Sequence, residues 1–575
     1  MSWLMRFITL HSDFIKFKAL KKALKSLDLT KESTDEQEVG ESLVVLTAVE
    51  KGDDKTTIKK LTEEVKSIAK QVKASTIVLY PYAHLSSNLG NPKEAQNILH
   101  EAEKELKKSF KKVVRAPFGY YKSFEIKVKG HPLSELSREI TGEGEVIEEK
   151  IDQKELLRKM SKVKMSAPRG KNDKKSAVEL GRDLDLYIVS EIVGGGLPLF
   201  TPKGTTILRE LRRFIEDEEL RRGYLYTQTP VMAKSDLYKV SGHWQHYKKD
   251  MFVLNVGNEE FALRPMCCPF QFILYKRKPR SYKDLPLKYA ELADYFRNEK
   301  SGELRGLTRV RQFKLTDAHI ICTPNQLEKE FEEVLDLVKY VMKTLDIEVW
   351  YRFSKGDIKD KEKYIDNPKA WKESEATMKK ILNKLKIKHV EAKGEAAFYG
   401  PKLDLQYKDV YGKEDTLFTI QIDFALPERF DLTYLDKNNK EKKPMVIHRS
   451  AMGALERVMA HLLEKTQGAL PTWLSPTQVR VINFTDRNNK YVDQVVSKIK
   501  KELPNIRIDT DLDSIPLGGK IRNAELMKIP YIIVLGDKEE QNNQIAIRKR
   551  GEKKIEQSSI EEFIKNIGEE IEQRR

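Results

Sequence analysis

Residues 291–321 read ELADYFRNEKSGELRGLTRVRQFKLTDAHII, and the rest of the chain is organised around them. Leu287 to Phe296 alternates well enough to predict a strand running into Arg297. Glu299 to Leu307 holds Gly302, Gly306 and several charges, the composition of a hairpin loop. Thr308 to Phe313 is the expected returning strand. Two such strands would present Arg297, Glu299, Arg309, Arg311 and Phe313 around one surface. Arginine forks match phosphate oxygens in a fixed geometry, and an aromatic face beside them can stack on a base. That set suits a triphosphate nucleotide lying on a sheet rather than at a helix N-terminus. A basic solvated hairpin would share the composition, so the order of the residues decides between the two.

That order is specific. Phe296-Arg297-Asn298-Glu299, then Gly306 to Phe313 as GLTRVRQF, then Asp317-Ala318-His319, closely resembles the second signature motif of class II aminoacyl-tRNA synthetases. The form is that of threonyl-tRNA synthetases. The resemblance implies a class II catalytic core built on an antiparallel sheet. It also implies ATP with magnesium: Arg297 at the α-phosphate, Glu299 reading the adenine amino group, Phe313 stacking on adenine, and Arg309 in the same site.

The chain has 575 residues, which at roughly 150 per domain suggests three or four domains. A hydrophobic fraction of 39% is enough for real cores. The net charge of +17 favours a polyanionic partner such as nucleic acid, although a lysine-rich proteome or a hot habitat would also raise it. Three cysteines, two of them adjacent (Cys267 and Cys268), argue against a disulfide framework. With no secretory start and no apolar run of about 18 residues, a reducing cytoplasm and no membrane are expected.

Residues 1–140 form a first unit, in which short apolar strands at Phe7–Leu10, Ser42–Leu46 and Thr76–Leu79 alternate with helical spacing at Lys59–Val72 and Pro92–Phe110. Leu10-His11-Ser12-Asp13, the segment Pro81 to Ser87, Ala116 to Lys122 and Gly130 to Glu135 are expected to end strands or sit in loops. Taken singly, His84 or Lys122 is an ordinary structural histidine or surface lysine. Together the four segments resemble the N-terminal editing domain of archaeal-type threonyl-tRNA synthetases, which is similar to D-aminoacyl-tRNA deacylases. The resemblance implies hydrolysis of serine misattached to threonine tRNA, with His84, Tyr121, Lys122 and Glu135 in the pocket. Lys122 would polarise the ester carbonyl as a fixed cation.

Residues 141–178 are a charged linker, with a helix expected over Lys150–Val163 and basic residues from Arg169 to Lys175 that can meet phosphates. Residues 179–474 follow as the catalytic unit. Lys203 to Arg221 reads as a long amphipathic helix, followed by Arg222 to Pro230 as a strand ending in proline. This pair resembles the first class II motif, the dimer interface of the family, and implies a homodimer. Ser241-Gly242-His243-Trp244 also matches threonyl enzymes.

Cys268, His319 and His448 are far apart in the chain, and no short metal spacing links them. The resemblance makes them ligands of a zinc ion whose fourth position receives threonine. Three sulfur and nitrogen ligands with one open position suit a working zinc site. Valine lacks the hydroxyl such a site requires, and serine has it. A zinc site of this kind therefore calls for an editing domain, and the first unit supplies one. Asp317 would contact the amine or hydroxyl of the substrate, while Leu315 stands where bacterial members often have glutamine. Gly394 to Leu405 resembles the family segment that supplies Tyr399 and Lys402. Gln421, amid apolar neighbours, is either turned to a ligand or internally bonded. Gly453 to Lys465 is an expected helix resembling the third class II motif, with Arg457 at the γ-phosphate.

Residues 475–575 alternate strands (Gln478–Phe484, Ile506–Ile508, Tyr531–Gly536) with helices (Lys490–Leu503, Leu517–Met527), predicting a small, mostly parallel α/β domain. It resembles the anticodon-binding domain shared by threonyl, prolyl, histidyl and glycyl enzymes. Lys520, Arg522, Arg548 and Arg550 are its candidate RNA contacts. The whole chain thus reads as a ligase joining L-threonine to threonine tRNA. The alternatives are a class II ligase for serine, or a non-catalytic synthetase-like tRNA-binding or regulatory protein.

Overall fold

The computed structural model describes residues 4–24, 32–86, 89–131, 133–141, 153–160, 165, 170–357, 359–361, 363–552 and 554–574. The expected positions Ser87, Pro132, Pro168 and Arg169, and most of the stretch 141–169, lie outside them. The chain divides into two compact units, Met1–Asp152 and Gln153–Arg575. The predicted catalytic and C-terminal domains therefore share one unit.

In the first unit the strand Leu4–Lys22 is central. It pairs with Ser42–Ala48 and Gln37–Val39 on one side and with Tyr120–Val128 and Glu135–Thr141 on the other. Thr76–Pro81 and Lys112–Arg115 extend the sheet in parallel. Alternation sorts the strands' side chains. Leu43, Val45, Ile77 and Leu79 pack against the helices Lys55–Val72 and Pro92–Lys107 through Leu61, Val65, Leu99 and Leu106. Val44, Leu46, Val78 and Tyr80 pack instead against Ile15 and Phe17, from the second half of the central strand itself. The register slips between Ser12 and Phe14, and this bulge lets the strand turn its second half over the sheet. Both helices begin at side-chain caps, Asp54 and Asn91. The strands and helices expected here are present. The segments read as loops are not all loops: Leu10–Asp13 runs within the long strand, Tyr120–Lys122 opens one strand and Glu135 opens another.

The second unit is built on an eight-stranded sheet. Its central order is Leu287–Phe296, Gln312–Cys322, Met445–Ala454, Glu414–Asp423, Lys402–Lys408, all antiparallel. Period-two alternation gives this sheet two different faces. Ala318, Ile320, Ile447, Phe418, Ile420, Ile422, Leu403 and Leu405 join the large apolar core, which also takes residues from the helices Pro202–Arg221, Leu327–Thr344 and Leu455–Thr466. The opposite parity carries Asp317, His319, His448, Thr419, Gln421 and Lys402. Arg449 is fully buried on the helix side, with its guanidinium on Glu219 of the helix Pro202–Arg221 and 4.2 Å over the ring of Tyr224.

The returning strand starts at Gln312, not Thr308. Gly306 takes a positive φ, an Arg305–Arg309 bridge closes the turn, and Arg311 donates to the Glu299 and Gly195 carbonyls. Those bonds hold residues 308–311 as loop. The linker boundary also moves. A helix begins at Ala177, capped by Ser176, and Lys171 N and Lys175 N donate to Val410 O and to Gln467 Oε1 of the core. The expected helix in the linker is present as Gln153–Met160.

The C-terminal sheet orders Ile508–Asp511, Val479–Asn483, Tyr531–Leu535, Ile545–Lys549 and Ile555–Ser558. The first two pairings are parallel and the last two antiparallel, so the sheet is mixed rather than mostly parallel. Asn489–Glu502 and Ile560–Glu572 cover one face.

Candidate active site

One cavity of about 360 Å³ opens on the polar face of the large sheet. It is lined by Cys268, Arg297, Glu299, Arg309, Phe313, Asp317, His319, Tyr399, Lys402, Gln421, His448 and Arg457. Of the residues expected around the nucleotide, Arg311 is not on this wall: its guanidinium is turned to the Glu299 and Gly195 carbonyls. The strand register explains how the lining residues meet. His319 stands opposite His448, His448 opposite Gln421, and Gln421 opposite Lys402, so four antiparallel strands deliver one row of side chains. Cys268 arrives separately, as the first residue of the helix Cys268–Lys276.

One donor atom from each of Cys268, His319 and His448 lies within 4.8 Å of the other two. All three side chains are buried. His319 Nδ1 meets Gln271 Oε1 at 2.6 Å, and His448 Nε2 meets Asp423 Oδ2 at 2.7 Å. Each acceptor fixes a tautomer and leaves His319 Nε2 and His448 Nδ1 as the nitrogens for a cation. Burial, with His448 and Arg449 alongside, holds His319 neutral, as a metal ligand must be. Burial and the Asp317 and Asp423 carboxylates push the Cys268 thiol well up, so a proton or a metal cation has to balance a thiolate there. The donor set fits zinc. A second grouping, Cys267 with Asp317 and His319, is less suited. Its carboxylate oxygen Asp317 Oδ2 already accepts from Tyr295 Oη and from Cys267 Sγ, the latter at 3.5 Å.

At the other end of the cavity the Arg297 guanidinium sits 5.1 Å above the Phe313 ring. Its Nε is buried without a partner among the described residues, a donor available to a bound anion. Arg457 is braced by the Thr308 and Thr416 carbonyls at 3.2 and 2.6 Å, and Asp415 lies 3.6 Å away. Arg309 pairs with Glu299 at 2.8 Å and Glu303 at 3.3 Å. Tyr399 donates to Gln421 Oε1, and Lys402 lies 3.3 Å from the fully buried Asp404. Leu315 is part of the wall.

Sequence reasoning missed Asp423, Gln271, Tyr295 and His243. The first two had a legible signal: Asp423 shares Gln421's strand face at i+2, and Gln271 lies one helical turn beyond Cys268. His243 lines the cavity and is pulled down to about 3 by burial and by His448.

In the first unit Lys122 Nζ donates to Pro117 O at 2.9 Å and to Pro81 O at 3.4 Å, and lies 5.0 Å over the Tyr80 ring. Tyr80 packs on Tyr82, whose ring meets His84 edge-on at 5.5 Å. His84 and Lys122 thus share one aromatic patch. Tyr121 is 64% exposed on the next strand position. Glu135 pairs with Leu10 while Lys122 pairs with Ala19, so these two reach the long strand nine positions apart. Burial, with Arg115 adding to it, lowers the Lys122 ammonium to about 8.

The C-terminal cations divide. Lys520 is 3% exposed with its ammonium on Asn483, and Arg550 is spent on the carbonyls of Lys528, Ala469 and Leu470. Both are internal braces and not the surface contacts expected. Arg522 is exposed, and Arg548 pairs with Glu525 at 2.7 Å.

Three family models match the chain: the Archaea-specific editing domain of threonyl-tRNA synthetase at residues 5–140, the class II core domain for G, H, P, S and T at 247–466, and an anticodon binding domain at 478–570. Sheet, cavity and motifs together define a class II aminoacyl-tRNA synthetase core. The RNA binding domain of threonyl-tRNA synthetase from Cryptosporidium parvum is 32% identical, with a TM-score of 0.66 over 69% of this chain and 98% of that one. The chain belongs to the threonyl-tRNA synthetase family. ThrRS-1 of Aeropyrum pernix is 27% identical, with a TM-score of 0.61 over 70% of this chain and 96% of that one. A threonine–tRNA ligase of Clostridium botulinum is 55% identical over 379 residues, 65% of this chain. The match spans 58% of that relative's own length.

Proposed function

We propose that this chain is a threonine–tRNA ligase that also clears mischarged seryl-tRNA, with residues 1–140 for editing, 179–474 for catalysis and 475–575 for the anticodon. The reading rests on one observation: the Cys268, His319 and His448 donors face the same cavity as Arg297, Phe313 and Arg457. A nucleic-acid binder without catalysis has no need of that combination, and a serine ligase has no need of an editing unit that removes serine.

Cys268, His319 and His448 hold zinc, which when bound supplies a Lewis-acid position selective for an amino acid carrying a hydroxyl. Asp317 contacts the substrate amine or hydroxyl, and Tyr399 and Gln421 line the amino-acid site. Phe313 stacks on adenine and Glu299 reads its amino group. ATP enters as its magnesium complex. The threonine carboxylate attacks the α-phosphate in line; Arg297 stabilises the charge that develops there, Arg457 holds the γ-phosphate, and pyrophosphate leaves. Lys402 adds a cation on the amino-acid side. The terminal hydroxyl of threonine tRNA then takes the activated threonine. Positioning carries most of the barrier reduction, so no strong base is needed. In the first unit Lys122 polarises the ester of seryl-tRNA, with His84, Tyr121 and Glu135 serving water and the terminal ribose. Arg522 and Arg548 meet tRNA phosphates.

Two copies pair through the region of Leu220 and Leu225, contributed by the predicted dimer motif, and the adjoining Val231 and Met232, all exposed in the single chain. Among the described residues no helix is long and apolar enough to cross a membrane, and the cytoplasm is the proposed location. The test is ATP–pyrophosphate exchange with threonine, serine and valine, with and without zinc. Strong exchange with threonine, weak with serine and almost none with valine is expected. Exchange that survives Cys268→Ala with complete zinc removal overturns the metal role.

A further inference from the structure

We propose that Tyr295 is a positioning residue for amino-acid recognition: its phenol aims the Asp317 carboxylate at the amine or hydroxyl of the substrate. The proposal rests on the ligase reading above. Tyr295 is 1% exposed, lines the cavity and touches both Asp317 and Phe313. Its hydroxyl accepts from Cys267 N at 3.0 Å and donates to Asp317 Oδ2. The phenol is thereby satisfied as acceptor and as donor, which a buried tyrosine requires. Asp317 Oδ1 makes neither of these bonds. The same ring meets Phe313 edge-on, at 5.8 Å and 90°, and Phe313 in turn lies under Arg297.

One side chain therefore links the amino-acid end to the nucleotide platform by two separable parts. The hydroxyl sets the carboxylate, and the ring braces the platform. The Cys267 thiol, at 3.5 Å from Asp317 Oδ2, is a weak donor and adds little. The geometry of the hydroxyl is fixed from behind by a backbone N–H at the start of the helix that carries Cys268. Asp317 sits on a strand whose pairing fixes its backbone, and the phenol holds its carboxylate through Oδ2.

Removing the hydroxyl alone, as Tyr295→Phe, takes a charge-assisted bond from Asp317 and leaves the ring. The expected result in ATP–pyrophosphate exchange is a threonine KM raised on the order of tenfold, with the ATP KM within twofold and zinc content per chain unchanged. Cys267→Ala should change the threonine KM by less than threefold. Tyr295→Leu removes the ring as well and should raise both KM values. A Tyr295→Phe protein with an unchanged threonine KM overturns the proposal. So does one in which kcat falls while both KM values hold, or one that has lost zinc. If the unmodified protein exchanges with no amino acid, the ligase reading has failed instead.

Discussion

Asp423→Asn tests the proposed metal centre without touching a candidate ligand. Asp423 is fully buried. Its Oδ2 meets His448 Nε2 at 2.7 Å, and its Oδ1 accepts from Ala425 N at 2.8 Å and Leu426 N at 2.9 Å. An asparagine can keep its single oxygen on the two backbone donors. Its amide nitrogen then faces His448 Nε2, which has to become an acceptor. The imidazole proton moves to Nδ1, the nitrogen a cation needs. If the amide flips instead, two backbone donors lose their acceptor, at about 1 kcal/mol each. Either route penalises the competent site. Loss of such a supporting carboxylate typically weakens metal affinity roughly 10–100-fold, or about 1.4–2.8 kcal/mol. Chelator competition against zinc measures that shift directly. Threonine-dependent exchange should fall in parallel at limiting zinc and recover at high zinc. Unchanged zinc affinity, within twofold, refutes the assignment of His448 Nδ1 to the ion.

Lys122→Ala should leave threonine charging intact while seryl-tRNA accumulates; undiminished clearance of seryl-tRNA rules out the editing role. Because the Lys122 ammonium is lowered to about 8, its cation is present below that pH and lost above it. Enzyme-dependent deacylation, corrected for spontaneous hydrolysis, should therefore decline as pH rises through about 8. Glu219→Ala strips the partner from the buried Arg449 guanidinium and is expected to destabilise the second unit by roughly 3–5 kcal/mol. Urea unfolding that shifts by less than 1 kcal/mol would contradict it.

Most residues of the candidate site could be picked out along the chain because they sit in ordered motifs on or beside strands, and they line one cavity. Arg297, Phe313, Asp317 and His319 follow one another at spacings that period-two geometry converts into one face. The error in the returning strand has a tertiary cause. Thr308 to Arg311 has strand-like alternation, but Arg311 spends its donors on the Glu299 and Gly195 carbonyls, and the latter lies 116 residues away. The C-terminal cations misled for a related reason: composition cannot tell an exposed lysine from Lys520, which is turned inward onto Asn483. In the first unit, the loops assigned around Tyr120 and Glu135 are strands because the long strand Leu4–Lys22 offers them an edge, and strand pairing is non-local.

By itself the sequence determined the order of the matched domains and the two-faced pattern of the central sheet, because alternation and motif order are local. It could not bring Cys268, His319 and His448 to one point, since nothing in their spacing does so. Only the antiparallel register sets His319 opposite His448 and Gln421 opposite Lys402, with a helix terminus supplying the thiol from elsewhere. The supporting layer was likewise decided by tertiary contact. Asp423 and Gln271 share a face with Gln421 and Cys268 in the chain, but their partners His448 and His319, like the bond of Tyr295 to Asp317, are set by hydrogen bonds between residues distant in sequence.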